Sequence, residues 1–212
     1  MSDRIPIKIC GLTRAEDALL AWELGASALG FIFHPQSPRN VEASTVASIR
    51  HQLPEDAFCV GVFVDRREDE MNAIAREAGL DAVQLHGRET PETCALVEKP
   101  VIKVIRAEDE HALERYPAAA FLLDAVHPTM AGGTGLKADW NLARRMAQHH
   151  RLILAGGLDA TNVREAIEAV RPAGLDLSSG VEASPGIKDR AKLLTLFSEL
   201  DFQGDRPCLI PR

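Results

Sequence analysis

Two side chains able to move protons stand at the ends of short apolar runs. One is Cys10, in Lys8-Ile9-Cys10-Gly11; the other is Asp124, in Phe121-Leu122-Leu123-Asp124. A thiol acts as nucleophile or base only as the thiolate, a few per cent of an unperturbed thiol at neutral pH. That chemistry at Cys10 therefore needs a nearby cation, a helix terminus or hydrogen bonds. The alternative is a small apolar core residue, since free cysteine is commonly buried. A carboxylate that closes an apolar strand either faces solvent or is costly to bury. Partial burial of Asp124 would raise its pKa and suit it to general-acid work. The alternative there is an aspartate that caps a helix or anchors a loop.

A second group of residues has the chemistry of anion capture. The stretch His34-Pro35-Gln36-Ser37-Pro38-Arg39 holds two prolines, which stiffen a loop. A stiff loop can present Arg39 for bidentate binding of a carboxylate or phosphate; a solvated surface arginine is the other reading. The runs Ala155-Gly156-Gly157-Leu158 and Ser178-Ser179-Gly180-Val181 supply glycine amides and, in the second, hydroxyls. Glycine lets a phosphate approach the backbone closely. His86, in Gln84-Leu85-His86-Gly87, either touches substrate or satisfies a core hydrogen bond. Gly132-Gly133-Thr134-Gly135 reads as a covering loop; it lacks the spacing and the Lys-Ser/Thr of a P-loop. No HExxH pattern or histidine pair across one helix face is present, His149-His150 reads as a solvated helix end, and no metal site is expected.

The elements that must position these residues alternate. Short apolar runs occur at Ile5–Cys10, Ala28–Phe33, Phe58–Val64, Ala82–His86, Val101–Arg106, Ala120–Asp124, Arg151–Ala155 and Gly174–Ser178. Several are continuously apolar, as strands buried on both faces are. Helical patterns lie between them. Thr13-Arg14-Ala15-Glu16 predicts a capping box, followed by a helix that buries Ala15, Leu19 and Trp22 and stops at Gly25. Further helices are expected over Glu68–Ala78, closed by Gly79; over Asp159–Val170, stopped by Pro172; and over Lys188–Leu200, with Leu193, Phe197 and Leu200 on one stripe. Eight strand-plus-helix units in 212 residues predict a single-domain α/β protein, a (β/α)8 TIM barrel over residues 1–200. An open doubly wound sheet also alternates, but a count of eight favours closure. A barrel places chemistry at the C-terminal strand ends and phosphate near strands 7 and 8. The tail, residues 201–212, carries Cys208 and two prolines but no readable motif; it is either disordered or packed across the barrel bottom.

Composition narrows the partners. The formal charge of −7 weighs against nucleic acid. No apolar run reaches the length of a membrane span, and the first six residues have no signal-peptide core. Cys10, Cys59, Cys94 and Cys208 form no CxxC or zinc spacing, so a reduced, cytoplasmic protein is expected. With no second catalytic domain, the chain reads as a monofunctional form. A monomer and a homodimer both remain open.

Several runs together resemble the phosphoribosylanthranilate isomerase family of tryptophan biosynthesis. They are Lys8-Ile9-Cys10-Gly11-Leu12-Thr13, Gly30-Phe31-Ile32-Phe33 with Ser37-Pro38-Arg39, Val83-Gln84-Leu85-His86-Gly87, Leu123-Asp124, Gly132-Gly133-Thr134-Gly135, Leu154-Ala155-Gly156-Gly157-Leu158 and Asp176-Leu177-Ser178-Ser179-Gly180-Val181-Glu182. The matches run in order from Lys8 to about Arg190. The resemblance implies a small sugar-phosphate substrate, N-(5-phosphoribosyl)anthranilate, an Amadori rearrangement and no cofactor. It implies Cys10 as general base, Asp124 as general acid and Arg39 as the carboxylate-recognising residue. It places phosphate on Gly156, Gly157, Ser178, Ser179 and Gly180, and puts His86 and Asp176 at the mouth as substrate contacts. His34-Pro35-Gln36 departs from the aromatic residue and lysine expected before Ser-Pro-Arg, which alters the pocket rim. A related isomerase of histidine biosynthesis, or a dual-substrate relative, would carry an aspartate where this chain has Cys10. Indole-glycerol-phosphate synthase would need a catalytic lysine at a strand end, and Lys103 lies within strand 5. A non-catalytic phosphate-ligand sensor on the same scaffold is a further alternative, against which intact Cys10, Asp124 and Arg39 argue.

Overall fold

The computed structural model describes residues 4–105, 113–124, 140–200 and 206–211. Eight of the apolar runs are strands: β1 (Ile7–Ile9), β2 (Ala28–Ile32), β3 (Cys59–Phe63), β4 (Ala82–Leu85), β5 (Val101–Ile105), β6 (Ala120–Asp124), β7 (Leu152–Ala155) and β8 (Gly174–Leu177). They pair in parallel in chain order, and β1 pairs with β8, so the sheet is a closed barrel. Period-two alternation explains the unbroken apolar runs. Ile7, Ile9, Leu29, Phe31, Phe63, Leu85, Leu123 and Leu154 face outward into one core cluster beneath the helices. Ala28, Val60, Ala82, Ile102, Ala120, Leu122 and Ile153 face inward into a second.

Among the described residues, seven helices pack around the sheet: α1 (Ala15–Leu24), α2 (Ala43–Arg50), α3 (Glu68–Glu77), α4 (Pro91–Ala95), α5 (Trp140–Ala147), α6 (Val163–Val170) and α7 (Arg190–Glu199). Between β5 and β6 the described residues hold only a short 3-10 turn over 113–115. The expected strand end at Arg106 and the Gly132–Gly135 loop lie outside the described residues. Gly25 closes α1 at φ 114° and Gly79 follows α3 at φ 65°, left-handed values that glycine adopts at little cost. Arg171 takes the same role after α6 at φ 55°, directly before Pro172.

Three helix starts differ from the sequence expectation. The capping box does not form: Thr13 donates its hydroxyl to the Gly186 carbonyl at 2.6 Å, and Arg14 at the N-cap makes no side-chain cap. The buried face of α1 is Asp17, Ala18, Ala21 and Trp22, whereas Ala15 and Leu19 are only partly covered. Asp17 can be buried because it receives the Arg14 guanidinium at 2.8 and 3.0 Å and the Lys188 amide at 3.0 Å. Helix α6 begins at Val163, since Asp159 instead accepts from the Thr161 amide and hydroxyl in a turn. Before α7, an antiparallel pair, β9 (Glu182–Ser184) and β10 (Ile187–Lys188), takes up Lys188, and Asp189 caps the helix through the Ala191 and Lys192 amides.

The described tail residues pack at the N-terminal ends of the strands. Leu209 and Ile210 are buried in the inward-facing cluster. Arg151 donates to the carbonyls of Cys208 and Leu209 at 2.8 and 2.9 Å. Arg206 lies 4.0 Å above the Trp22 ring and donates to the Trp22 carbonyl at 2.7 Å. Truncating a buried leucine typically costs about 2–5 kcal/mol. Leu209→Ala is therefore expected to lower unfolding stability by about that much in a urea titration; a loss below about 0.5 kcal/mol would mean that the tail contributes no more than a surface segment does.

Candidate active site

Opposite the tail, the C-terminal strand ends surround a cavity of about 270 Å³. Cys10 reaches it from the end of β1, and Asp124 from the end of β6. Arg39 comes from the loop after β2, and His86 from the end of β4. Gly156 and Gly157 follow β7. Asp176 lies on β8, with Ser178, Ser179 and Gly180 just after it. All ten candidate residues border this one cavity, together with Gln84 and the apolar Ile32, Val62, Ala155 and Leu158.

Cys10 is only 6% exposed yet borders the cavity. Glycine at position 30 makes its placement workable: a Cβ there would come within 2.9 Å of the Cys10 sulfur. Burial pushes the Cys10 thiol above its ordinary value; Lys8 and Lys188 work in the opposite direction, while Asp176 adds to the rise. Lys8, fully buried, sits 3.0 Å from both Asp176 oxygens. Burial alone would lower the Lys8 value, but the Asp176 carboxylate, with a smaller electrostatic contribution from Cys10, outweighs it, and the ammonium is held above its ordinary value.

Arg39 is oriented by Glu182. Its Nε lies 2.9 Å and its Nη2 2.6 Å from the two carboxylate oxygens. Gly11, at φ 76°, leaves room for the Arg39 chain, since a Cβ there would lie 2.6 Å from its Cδ. Glu182 also receives Lys188 Nζ at 2.9 Å, and Lys188 donates in turn to the Cys10 carbonyl at 2.6 Å. Burial would raise the Glu182 carboxyl, but hydrogen bonds from Arg39 and Lys188 hold it below the ordinary range. Burial lowers Lys188, partly offset by Glu182. Nothing local in the sequence points to Glu182 or Lys188 as site residues, because Glu182 lies 143 residues from the Arg39 it orients.

On the β7–β8 side, Gly156 and Gly157 both adopt left-handed backbone, at φ 94° and 61°. Gly180 packs directly on the Leu158 carbonyl, so no side chain fits there. Asn162 secures the first segment by donating to the Gly157 carbonyl at 2.8 Å. His86 lies 3.4 Å, through Nδ1, from Gln84 Nε2. Burial lowers its proton affinity, against the pull of Asp124 and Asp176 toward the cation. At neutral pH the imidazole is therefore neutral. Gln84, which the sequence reading also left without a role, is buried, and its Oε1 has no hydrogen-bond partner among the described residues. Asp124 is exposed at the rim, the solvent-facing one of the two placements open to a carboxylate closing an apolar strand.

Lys103 is outside this arrangement. It occupies the outward face of β5 and donates to Glu89 at 2.9 Å and to the carbonyls of Leu85 and Gly87. It thus braces the β4 end and offers no catalytic amine to the cavity. No cluster of three metal-ligating side chains occurs among the described residues. No helix among them is long and apolar enough to cross a membrane.

Comparison with known proteins places this geometry. The chain is 50% identical over 192 residues to N-(5'-phosphoribosyl)anthranilate isomerase of Pelobacter propionicus, covering 89% of this chain and 92% of that protein. Its fold is similar to the crystal structure of phosphoribosyl anthranilate isomerase from Thermotoga maritima, with TM-score 0.85 and 40% identity over 93% of this chain and 98% of that one. It is also similar to a phosphoribosyl anthranilate isomerase in complex with reduced 1-(o-carboxyphenylamino)-1-deoxyribulose 5-phosphate, with TM-score 0.82 and 38% identity over 93% and 98% of the two chains. Residues 7–199 match the family model for N-(5'-phosphoribosyl)anthranilate isomerase, and the chain belongs to that family.

Proposed function

We propose that this protein converts N-(5-phosphoribosyl)anthranilate to 1-(2-carboxyphenylamino)-1-deoxyribulose 5-phosphate, with Cys10 as general base and Asp124 as general acid. The observation that carries this reading is their placement: a thiol from β1 and a carboxyl from β6 border one cavity, with Arg39 and the β7–β8 glycine segments around it. Asp124 gives a proton to the furanose ring oxygen. The C1–O bond breaks as the anilino nitrogen lone pair forms the C1=N Schiff base. The Cys10 thiolate removes the C2 proton, and the electron pair left behind forms C1=C2 and discharges the iminium. The resulting enolamine tautomerises to the ketone. Protons and electron pairs move within one substrate, so the rearrangement calls for no cofactor.

Binding follows the same division. The glycine segments and Ser178 and Ser179 take the phosphate, and Arg39 takes the anthranilate carboxylate with the donors that Glu182 leaves free. His86 and Asp176 contact the sugar between them. Two anions held at opposite ends align the reacting carbons between base and acid. Every side chain invoked comes from one chain, so the reading holds for a monomer and a homodimer alike. The four free cysteines suit a reducing cytoplasm.

The direct test generates the substrate in situ from anthranilate and phosphoribosyl pyrophosphate with the corresponding transferase, adds the protein, and follows the same-mass ketose by chromatography. Conversion is expected, and Cys10→Ala should abolish it; retained turnover would remove Cys10 as the base. Asp124→Asn should lower kcat by about 10²-fold or more with KM little changed; a pure KM effect would make Asp124 a binding residue. Arg39→Gln should raise KM about ten- to a hundred-fold, the worth of a charge-assisted hydrogen bond, and an unchanged KM would remove it from the carboxylate site. The pH profile carries a further expectation. The reaction needs a thiolate and a carboxylic acid together, and carboxyls ordinarily titrate below thiols. The active form is then a minority whose share is constant between the two titrations. Because burial raises the Cys10 value, kcat should be flat through neutral pH and its upper limb should lie on the alkaline side; a steep rise or fall between about pH 6 and 8 contradicts the assignment.

A further inference from the structure

A buried ion pair lies directly beneath Cys10. Lys8 precedes Cys10 by two residues on β1, so both side chains point into the barrel. The β1–β8 register sets Lys8 opposite Asp176, and its ammonium is 3.0 Å from both carboxylate oxygens. The Lys8 chain and the Cys10 thiol lie against the same patch of β2: a Cβ at Gly30 would be 3.0 Å from Lys8 Cε and 2.9 Å from Cys10 Sγ. The Lys8 charge also works to lower the proton affinity of the thiol. A buried ion pair is seldom more stabilising than apolar residues of the same volume, so stability alone does not account for a lysine here.

We propose that Lys8 is a positioning residue for the base, its ammonium serving as the counter-charge of the Cys10 thiolate and shared between that thiolate and Asp176. This inference rests on the reading of Cys10 as the base and extends it. The thiol releases its proton to solvent, the thiolate takes the substrate C2 proton, and the thiol is restored; Lys8 keeps its protons throughout. Other charged groups face Cys10. Lys188, on β10, gives its Nζ to the Cys10 carbonyl and not to the sulfur. Arg39, after β2, is committed to Glu182. Asp176, on β8, opposes the thiolate, and Asp124, across the cavity on β6, is the proton donor of the reaction and not a counter-charge. Among these cations, Lys8 is the one whose side chain packs with the thiol against Gly30.

The test is iodoacetamide labelling of Cys10 across about pH 6–10, read by mass spectrometry of the Cys10 peptide, since labelling rate follows the thiolate fraction. Lys8→Met should slow labelling at neutral pH by about tenfold or more, lower kcat with the alkaline limb moved upward, and leave KM little changed. Asp176→Asn should have the opposite sign in labelling, because it removes an anion and leaves the thiolate as the ammonium's remaining partner. A merely structural ion pair would move both variants in the same direction. An unchanged labelling profile in Lys8→Met, or same-direction shifts in the two variants, overturns the proposal. If Lys8→Met fails to fold, Asp176→Asn decides alone: faster labelling supports it, and unchanged or slower labelling overturns it. Turnover in Cys10→Ala tests the base reading separately, whatever the labelling shows.

Discussion

The seam between the first strand and the last governs the rest of this structure. Strand β1 is three residues long, and its pairing with β8 joins Ile7 to Leu175, Lys8 to Asp176 and Ile9 to Leu177. A slip of one residue would turn Lys8 into the apolar layer under the helices and bring Ile7 and Ile9 inward. It would also strand an ammonium and a carboxylate without partners in a dry interior, a penalty of several kcal/mol per ion. The ion pair thus discriminates against wrong registers more than it adds stability to the right one. Above it the seam continues: the Cys10 amide donates to the Leu177 carbonyl at 2.8 Å, and Lys188 gathers the carbonyls of Cys10 and Ser178. Barrel closure therefore assembles the mouth, because it brings the thiol of the first strand beside the serines of the last.

The same alternation divides the barrel interior along its length. Toward the N-terminal strand ends the inward side chains are Ala28, Ala82, Ala120 and Ile153, sealed by Leu209 and Ile210. Toward the C-terminal ends they are Cys10, Gln84, Asp124 and Asp176. Packing can be optimised at one end without disturbing the polar groups at the other, the separation of stability from chemistry that this architecture provides. The outward Lys103–Glu89 pair shows how a buried charge serves the mouth without entering it. Glu89 also accepts from the amides of Asp65 and Gly87, so one carboxylate fixes the loops after β3 and β4 and, with them, His86.

How much of this was legible depends on how far apart the interacting residues lie. The strands were readable because burial on both faces leaves unbroken apolar runs. The glycine stops of α1 and α3 were readable because a left-handed turn imposes its residue type locally. The capping box at Thr13 failed because its hydroxyl serves Gly186, 173 residues away, and no local pattern announces that preference. Arg39 was visible as an anion-binding candidate, but its partner Glu182 lies 143 residues away and could not be paired with it. Lys8 left a clearer trace: a charge inside an apolar strand must find a counter-charge. The trace says that a partner exists but not which of the 31 acidic residues it is.

The Arg39–Glu182 pair determines what the mouth can offer an anionic substrate. A free arginine has several rotatable bonds to freeze on binding, and that entropy opposes affinity. Here Nε and Nη2 are already committed to a carboxylate that is itself held by Lys188 and the Gly186 amide. The guanidinium plane is thus fixed before any ligand arrives, while Nη1 has no hydrogen-bond partner among the described residues. An incoming carboxylate meets a donor of set direction and loses little entropy in ordering it. The cost is a second carboxylate near the cavity, and Lys188 offsets it by neutralising part of the Glu182 charge. The network therefore exchanges raw positive potential for direction, which is what a site must do when two anionic ends of one substrate have to be placed relative to a base and an acid on fixed strands.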